Sequence, residues 1–215
     1  AVPTGNFGDI LAGDVARRMG LPIGRLVIAT NANDILHRTL ETGRHAKASV
    51  APTTSPSMDI QVSSNFERLL FELYDRDSGA TAGLMAELKE AGGFALSQGV
   101  LDRLRAGFAS GRADDAAASA EIAATHRATG YVLDPHTACG TRAAREARGN
   151  PATPMVTLAT AHPAKFPDAV EAACGQRPGL PPRMADLYER DERVTVVPDD
   201  LSAVQSLIDE RARAT

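Results

Sequence analysis

Two glycines bracket an asparagine and a phenylalanine in Ala1-Val2-Pro3-Thr4-Gly5-Asn6-Phe7-Gly8-Asp9, and a helix-like run follows at once. Ile10, Leu11, Val15 and Met19 recur there at close to helical spacing. Glycine adopts backbone angles closed to other residues and lets the main chain approach a ligand closely. A helix starting at such a loop turns its unpaired N–H groups, and the positive end of its dipole, back into the loop. That arrangement binds anions, phosphate above all. Such a turn normally follows a strand, of which only Ala1 and Val2 stand here, and the chain opens on Ala rather than Met. The expectation is a portion of a longer protein whose N-terminal part is absent.

The apolar periodicity points to an α/β chain with a partial open parallel sheet flanked by helices. Arg25 to Thr30 reads as a buried parallel strand and Ile35 to Leu40 as a short helix. Residues 42–64 look irregular, with Pro52, Pro56 and many Ser and Thr. Ser64-Asn65-Phe66-Glu67 matches a capping box, followed by Phe66, Leu69, Leu70 and Leu73 on one stripe. Helices are expected over Ala80 to Glu90 and Val100 to Phe108, and residues 78–111, where strand-like runs vanish, read as a mainly helical insertion. The alanine-rich stretch 114–129 is helical by propensity. Gly130 to Leu133, Met155 to Ala159 and Val194 to Val197 read as strands. Asp134-Pro135-His136-Thr137 starts a further helix, and Pro198 and Asp199 open a last one.

Composition narrows the function. The 23 Lys and Arg against 27 Asp and Glu give a formal charge of -4, which argues against a nucleic-acid partner. No apolar run is long enough for a membrane span. Cys139 and Cys174 make no secreted disulfide framework, so reduced thiols in the cytoplasm are expected. The histidines show no paired metal spacing, so no metal is expected. Polar clusters at carboxyl ends of the expected strands mark candidate site positions: Asn31 to Asp34, and Thr160 to His162.

Six segments, taken in order, resemble threonine synthase, a pyridoxal-phosphate enzyme of the tryptophan-synthase-β-like fold (fold type II). They are Val2 to Ile10, Thr30-Asn31-Ala32-Asn33-Asp34-Ile35, Ser55-Pro56-Ser57-Met58-Asp59-Ile60, Ser64 to Arg68, Asp134-Pro135-His136-Thr137-Ala138, and Leu158-Ala159-Thr160-Ala161-His162-Pro163-Ala164-Lys165-Phe166. The resemblance covers residues 1 to about 168. It implies that residues 1–215 are the C-terminal portion of one pyridoxal-phosphate-binding α/β domain. It further implies that Gly5, Asn6, Phe7, Gly8 and Asp9 surround the cofactor phosphate through backbone N–H groups, and that Thr160 faces the pyridine nitrogen. Asp9, a carboxylate beside a dianion, is expected to cap the helix or orient the loop. Asn33 and Asp34 stand as substrate-side residues, with capping of the next helix the slightly favoured alternative for Asn31, Asn33 and Asp34.

The implied reaction converts O-phosphohomoserine and water to threonine and phosphate. The family's cofactor lysine lies before the glycine loop, and Lys47, Lys89 and Lys165 all follow it, so no catalytic residue is assigned here and the chain alone is expected to be inactive. Two alternatives stay open: a phospholyase of the same type, and a non-catalytic phosphate-binding or assembly module. A dinucleotide loop fits worse, because Gly5-Asn6-Phe7-Gly8 lacks the G-x-G-x-x-G spacing. His162 is expected to be packed and hydrogen-bonded beside the site, His136 to belong to a helix start, and Lys165 to be solvated. Oligomeric state is not legible.

Overall fold

The short run Leu26-Val27-Ile28-Ala29-Thr30 is apolar because both of its faces are covered. In a computed structural model describing residues 1–212, this run is the middle strand β2 (Leu26–Thr30) of a parallel sheet. It lies between β1 (Val2–Pro3) and β5 (Phe108–Arg112), in the order β1-β2-β5. Its side chains alternate. Leu26 and Ile28 enter a large-residue core with Val2, Phe7, Ile10 and Phe108, whereas Val27 and Ala29 face a small-residue layer with Ala143.

The remaining elements, in chain order, are α1 (Gly8–Arg18), α2 (Ile35–Thr42), β3 (Arg44–Ala46), α3 (Phe66–Leu73), α4 (Ser78–Glu90), β4 (Gly93–Ala95), α5 (Gln98–Gly107), α6 (Asp115–Thr129), α7 (Pro135–Ala147), α8 (Pro167–Cys174) and α9 (Leu201–Arg211). β3 and β4 form a separate antiparallel pair. The chain divides into two compact units, Ala1–Gly179 and Leu180–Thr215, the second carrying α9 with its N-cap at Asp200. The last three residues of the span expected to run to 215 lie outside the described residues.

Close approach of α7 to the sheet is written in glycines. A Cβ on Gly111 would lie 2.7 Å from the Ala143 Cβ, and one on Gly140 would lie 3.0 Å from Pro3 and 2.9 Å from Thr157. On the opposite face, Phe66 and Phe94 stack on the two sides of buried His45, with centroids 5.1 and 4.9 Å away. The His45 Nδ1 lies 2.8 Å from the Thr39 hydroxyl, which itself donates to the Ile35 carbonyl. Nδ1 therefore carries the proton. Burial first, and the positive charge of Arg38 second, hold the imidazole down to about 4.

Several sequence expectations need correction. Residues 78–111 are not without strands: they hold β4 and all of β5 but its last residue, and β5 is a sheet strand that follows α5 directly. Residues 42–64 are not wholly irregular, because β3 lies within them. Gly130 is the left-handed end of α6, with φ +75°, and no strand forms over 130–133. Val194 to Val197 form no regular element and are largely exposed.

Met155 to Ala159 is not a buried strand either. It runs extended beside Ala1, whose amino group donates to the Val156 carbonyl (2.7 Å) and whose carbonyl accepts from Leu158 N–H (3.0 Å). This is the parallel pattern centred on Thr157 and Ala1. It stops because the next group facing that side is the nitrogen of Pro3, which has no hydrogen to give. Thr4 N–H faces the other way, to the Ala29 carbonyl at 2.9 Å.

Candidate functional site

Where β1 ends, the chain makes a tight loop into α1. The Thr4 hydroxyl accepts the Phe7 N–H (3.0 Å) and the Asn6 Oδ1 accepts the Gly8 N–H (3.0 Å). Phe7 sits at φ +68°, a left-handed conformation unusual for a bulky residue. Its ring is fully buried, edge-on to Phe66 at 5.4 Å and tilted against Phe108 at 5.9 Å, and this anchoring holds the backbone there. The N–H groups of Phe7 and Gly8 are thus committed. Those of Gly5, Asn6, Asp9 and Ile10 have no acceptor among the described residues. They form a set of donors at a helix N-terminus, where negative charge is favoured. Asp9 does not cap α1: the N-cap is Phe7, without a side-chain cap bond, and the exposed Asp9 carboxylate stands in the first turn.

The segment 51–60 closes over this loop. A Cβ on Gly5 would lie 3.0 Å from the Ile60 side chain and 3.1 Å from the Met58 Cα, so a larger residue there would press the segment outward by a few tenths of an ångström. The segment is held from beneath by polar residues at the end of β2. Asn31 Nδ2 donates to Asp59 (2.7 Å), Thr53 (2.9 Å) and the Ser55 hydroxyl (3.0 Å). Asn33 Nδ2 donates to Asp59 (2.9 Å) and the Ala51 carbonyl (2.8 Å), and its Oδ1 accepts the Ala51 N–H (2.9 Å). The capping expected of Asn31, Asn33 and Asp34 is not found. Asp34 occupies the N-cap position of α2 without a side-chain cap bond. Its carboxylate pairs instead with Arg38 (2.8 Å) and Arg112 (3.2 Å).

Ser64-Asn65-Phe66-Glu67 does not act as a capping box. The Asn65 side chain makes no cap bond to α3. Both its N–H and its Nδ2 donate to the Asn6 carbonyl, at 3.0 and 3.1 Å. Asn65 is a site residue that local pattern reading missed, because its partner lies 59 residues away.

At the start of α7, buried Asp134 caps the helix through the N–H groups of His136 and Thr137 and also accepts the Thr137 hydroxyl. Burial pushes its carboxyl up, but the hydrogen bonds from His136 and Thr137 together outweigh that and hold it below the ordinary carboxylate value. The His136 Nδ1 lies 3.0 Å from Asp134 Oδ1, and its Nε2 accepts the Ser57 N–H at 3.3 Å. His136 is a helix-start residue, as the sequence suggests. His162 is exposed rather than packed, and its Nδ1 accepts the Ala164 N–H (3.1 Å). Lys165 is exposed over the Phe166 ring, 5.7 Å from its centroid. Thr160 is exposed, and it follows Thr157 by as many residues as Thr4 follows Ala1.

A concavity of about 280 Å³ between α1, α3 and α5 lies away from the loop. Its arginines are matched by carboxylates: Arg17 with Asp14, Arg18 with Glu72, Arg103 with Asp75. With its charges neutralised in pairs, it offers less to an anion than the four unpaired amides. No helix among the described residues is long and apolar enough to cross a membrane.

Residues 137–208 match the family described as "Threonine synthase, C-terminal". A threonine synthase of Pseudomonas aeruginosa is 52% identical over 209 residues, covering 97% of this chain and 45% of the relative. A solved PLP-bound threonine synthase from Brucella melitensis superposes with a TM-score of 0.91 at 55% identity, covering 99% of this chain and 46% of that one. The yeast threonine synthase gives a TM-score of 0.87 at 36% identity, covering 97% and 46%. The chain therefore spans about half the length of the relatives it matches. The parallel sheet flanked by helices is an open α/β arrangement, and its likeness to solved threonine synthases agrees with the tryptophan-synthase-β-like class, fold type II, that the sequence resemblance implies. Within that class it belongs with the threonine synthases, as their C-terminal portion.

Proposed function

We propose that this chain supplies the cofactor-phosphate side of a pyridoxal-phosphate-dependent carbon–oxygen lyase, which converts O-phosphohomoserine and water to threonine and phosphate. The observation that carries this reading is the set of N–H groups at Gly5, Asn6, Asp9 and Ile10, unpaired among the described residues, beneath a segment that packs closely on Gly5. Those donors fit a phosphoryl dianion, and a relative of high identity is a PLP-bound threonine synthase.

In this reading Gly5, Asn6, Phe7, Gly8 and Asp9 surround the phosphate. The N–H groups of Gly5, Asn6, Asp9 and Ile10 donate to it. Thr4, Asn6, the Phe7 ring and Asn65 fix the loop, so little reorganisation accompanies binding. The Asp9 carboxylate contributes by favouring the positive end of α1. Thr160, exposed three residues beyond Thr157, would face the pyridine nitrogen. A hydroxyl there leaves that nitrogen largely unprotonated and moderates the ring's electron withdrawal. When bound, the coenzyme supplies an electron sink for carbanions on the substrate. Asn33 and Asp34 belong to the substrate side. The Asn33 donors are committed to Ala51 and Asp59, so it acts by holding the covering segment.

None of Lys47, Lys89 and Lys165 matches the family's cofactor lysine. We therefore expect turnover only together with the remainder of the protein, located in the cytoplasm, where Cys139 and Cys174 stay reduced. The test is borohydride reduction of this 215-residue chain and of the full-length protein after adding pyridoxal phosphate, followed by product analysis. One trapped lysine in the full-length protein alone, with threonine and phosphate as products, supports the reading. A stoichiometric adduct on a lysine of this chain overturns the assignment, and a 2-oxo acid product favours a phospholyase.

A further inference from the structure

The geometry points to Asp134 and His136 as a positioning pair that sets the covering segment over Gly5 and so determines how tightly the phosphate loop is held. The proposal rests on the cofactor reading above. Asp134 is fixed first, as the N-cap of α7. Its Oδ1 faces the His136 Nδ1 at 3.0 Å, and the ionised carboxylate accepts, so the proton sits on Nδ1. That leaves the Nε2 lone pair free for the Ser57 N–H at 3.3 Å. The ring itself cannot swing, because both residues are buried and Phe166 packs against it at 4.7 Å between centroids.

Ser57 is the residue of the covering segment that hydrogen-bonds this pair. Its neighbour Met58 is buried among Ala113, Ile122, Ala138 and Cys139, and the Met58 Cα is the backbone atom that a Cβ on Gly5 would meet. Asn31 and Asn33 hold the same segment at Asp59. The turn Pro56–Met58 is thus held at its middle residue by α7, while Asn31, just after β2, bonds Ser55 and Asp59 on its two flanks. Tenfold in affinity corresponds to about 1.4 kcal/mol, within the range that one hydrogen bond contributes. Its loss, with the shift of backbone it permits, should be felt at the phosphate and not at the reacting carbons.

The experiment uses the full-length protein with His136→Leu, which removes the Nε2 acceptor, and His136→Gln, whose Oε1 replaces it. The readouts are the dissociation constant for pyridoxal phosphate, the phosphorus NMR resonance of the bound phosphate, and KM for O-phosphohomoserine. H136L should weaken cofactor binding by roughly tenfold and move the phosphorus resonance, with KM little changed, and H136Q should stay within about threefold of the parent. An H136L protein that keeps parental affinity and resonance overturns the proposal, as does a folded H136Q as impaired as H136L. Should H136L fail to fold, amide hydrogen exchange in the parent protein decides: Ser57 N–H should be protected, and free exchange there overturns the proposal. Gly5→Val is the control. If it binds the cofactor normally, the cofactor reading itself fails. If it loses the cofactor while H136L does not, only the role of the pair fails.

Discussion

Asn65 gives both its backbone N–H and its side-chain amide to the single carbonyl of Asn6, at 3.0 and 3.1 Å. Two donors on one oxygen turn that carbonyl toward α3. The Asn6 N–H, on the other side of the same residue, has no acceptor among the described residues. The helix that carries the Phe66 stripe into the core thus also orients the anion-binding loop, which couples packing to binding.

Replacing Asn65 with alanine removes one of the two donors and leaves the other. The expected cost is about 1 kcal/mol of stability, and a cofactor affinity lowered by up to about tenfold. Denaturant titration and cofactor equilibrium dialysis measure the two effects. An affinity unchanged at reduced stability would separate Asn65 from the phosphate loop.

Gly5→Ala tests the covering segment. The new Cβ falls 3.1 Å from the Met58 Cα, a backbone atom, and 3.0 Å from the Ile60 side chain, which has some freedom to turn. We expect a loss of about 1–3 kcal/mol in thermal or denaturant stability, the usual cost of inserting a methyl into a filled space. Cofactor binding should fall as the segment lifts. A variant with parental stability would mean that the segment yields without cost.

How much of this was legible in the sequence depends on how local the cause is. β2 was readable because both faces are buried, so the chain writes an unbroken apolar run. The glycine loop was readable because the backbone requirement is carried by the glycines themselves. β5, Phe-Ala-Ser-Gly-Arg, was not. Its small residues are dictated by the approach of α7, where a Cβ on Gly111 would collide with Ala143. Met155 to Ala159 misled in the opposite direction, since an apolar run reports a tendency to be buried and not the presence of a partner strand. Asn65 and Asn33 sat in segments that look like caps, and both donate instead to distant loop atoms. Short-range patterns cannot show such bonds.

The two thiols should differ sharply in reactivity. Burial above all pushes the Cys139 thiol up to about 12, with a hydrogen bond to Ser55 opposing and the charges of Asp115 and Asp134 adding to the rise. The thiolate is the reacting form, so Cys139 should be inert at neutral pH in the folded protein. Half-buried Cys174, whose Sγ donates to the Val170 carbonyl at 3.3 Å, should be modified first. Maleimide labelling followed by peptide mass mapping reads this directly. Labelling at Cys139 ahead of Cys174 without denaturant would contradict the packing around α7.

His45 should make the folded state sensitive to mild acid. Its imidazole is held down to about 4 from an ordinary 6.5, by burial first and Arg38 second. Between those values the unfolded chain takes up a proton that the folded chain refuses. The resulting stability is fully present above about pH 6.5 and is lost as the pH falls toward 4. The total is about 3 kcal/mol, at roughly 1.4 kcal/mol per pH unit across the gap. Carboxylates titrate in the same range, so the parent protein must be compared with a variant that cannot protonate here. His45→Phe keeps a flat ring between Phe66 and Phe94 and leaves the Thr39 hydroxyl donating to Ile35. Denaturant stabilities of the two proteins, measured from pH 7.5 down to about 4.5, should diverge by about 2–3 kcal/mol, the parent falling faster. Parallel curves would place the proton uptake elsewhere and remove His45 as the source of acid lability.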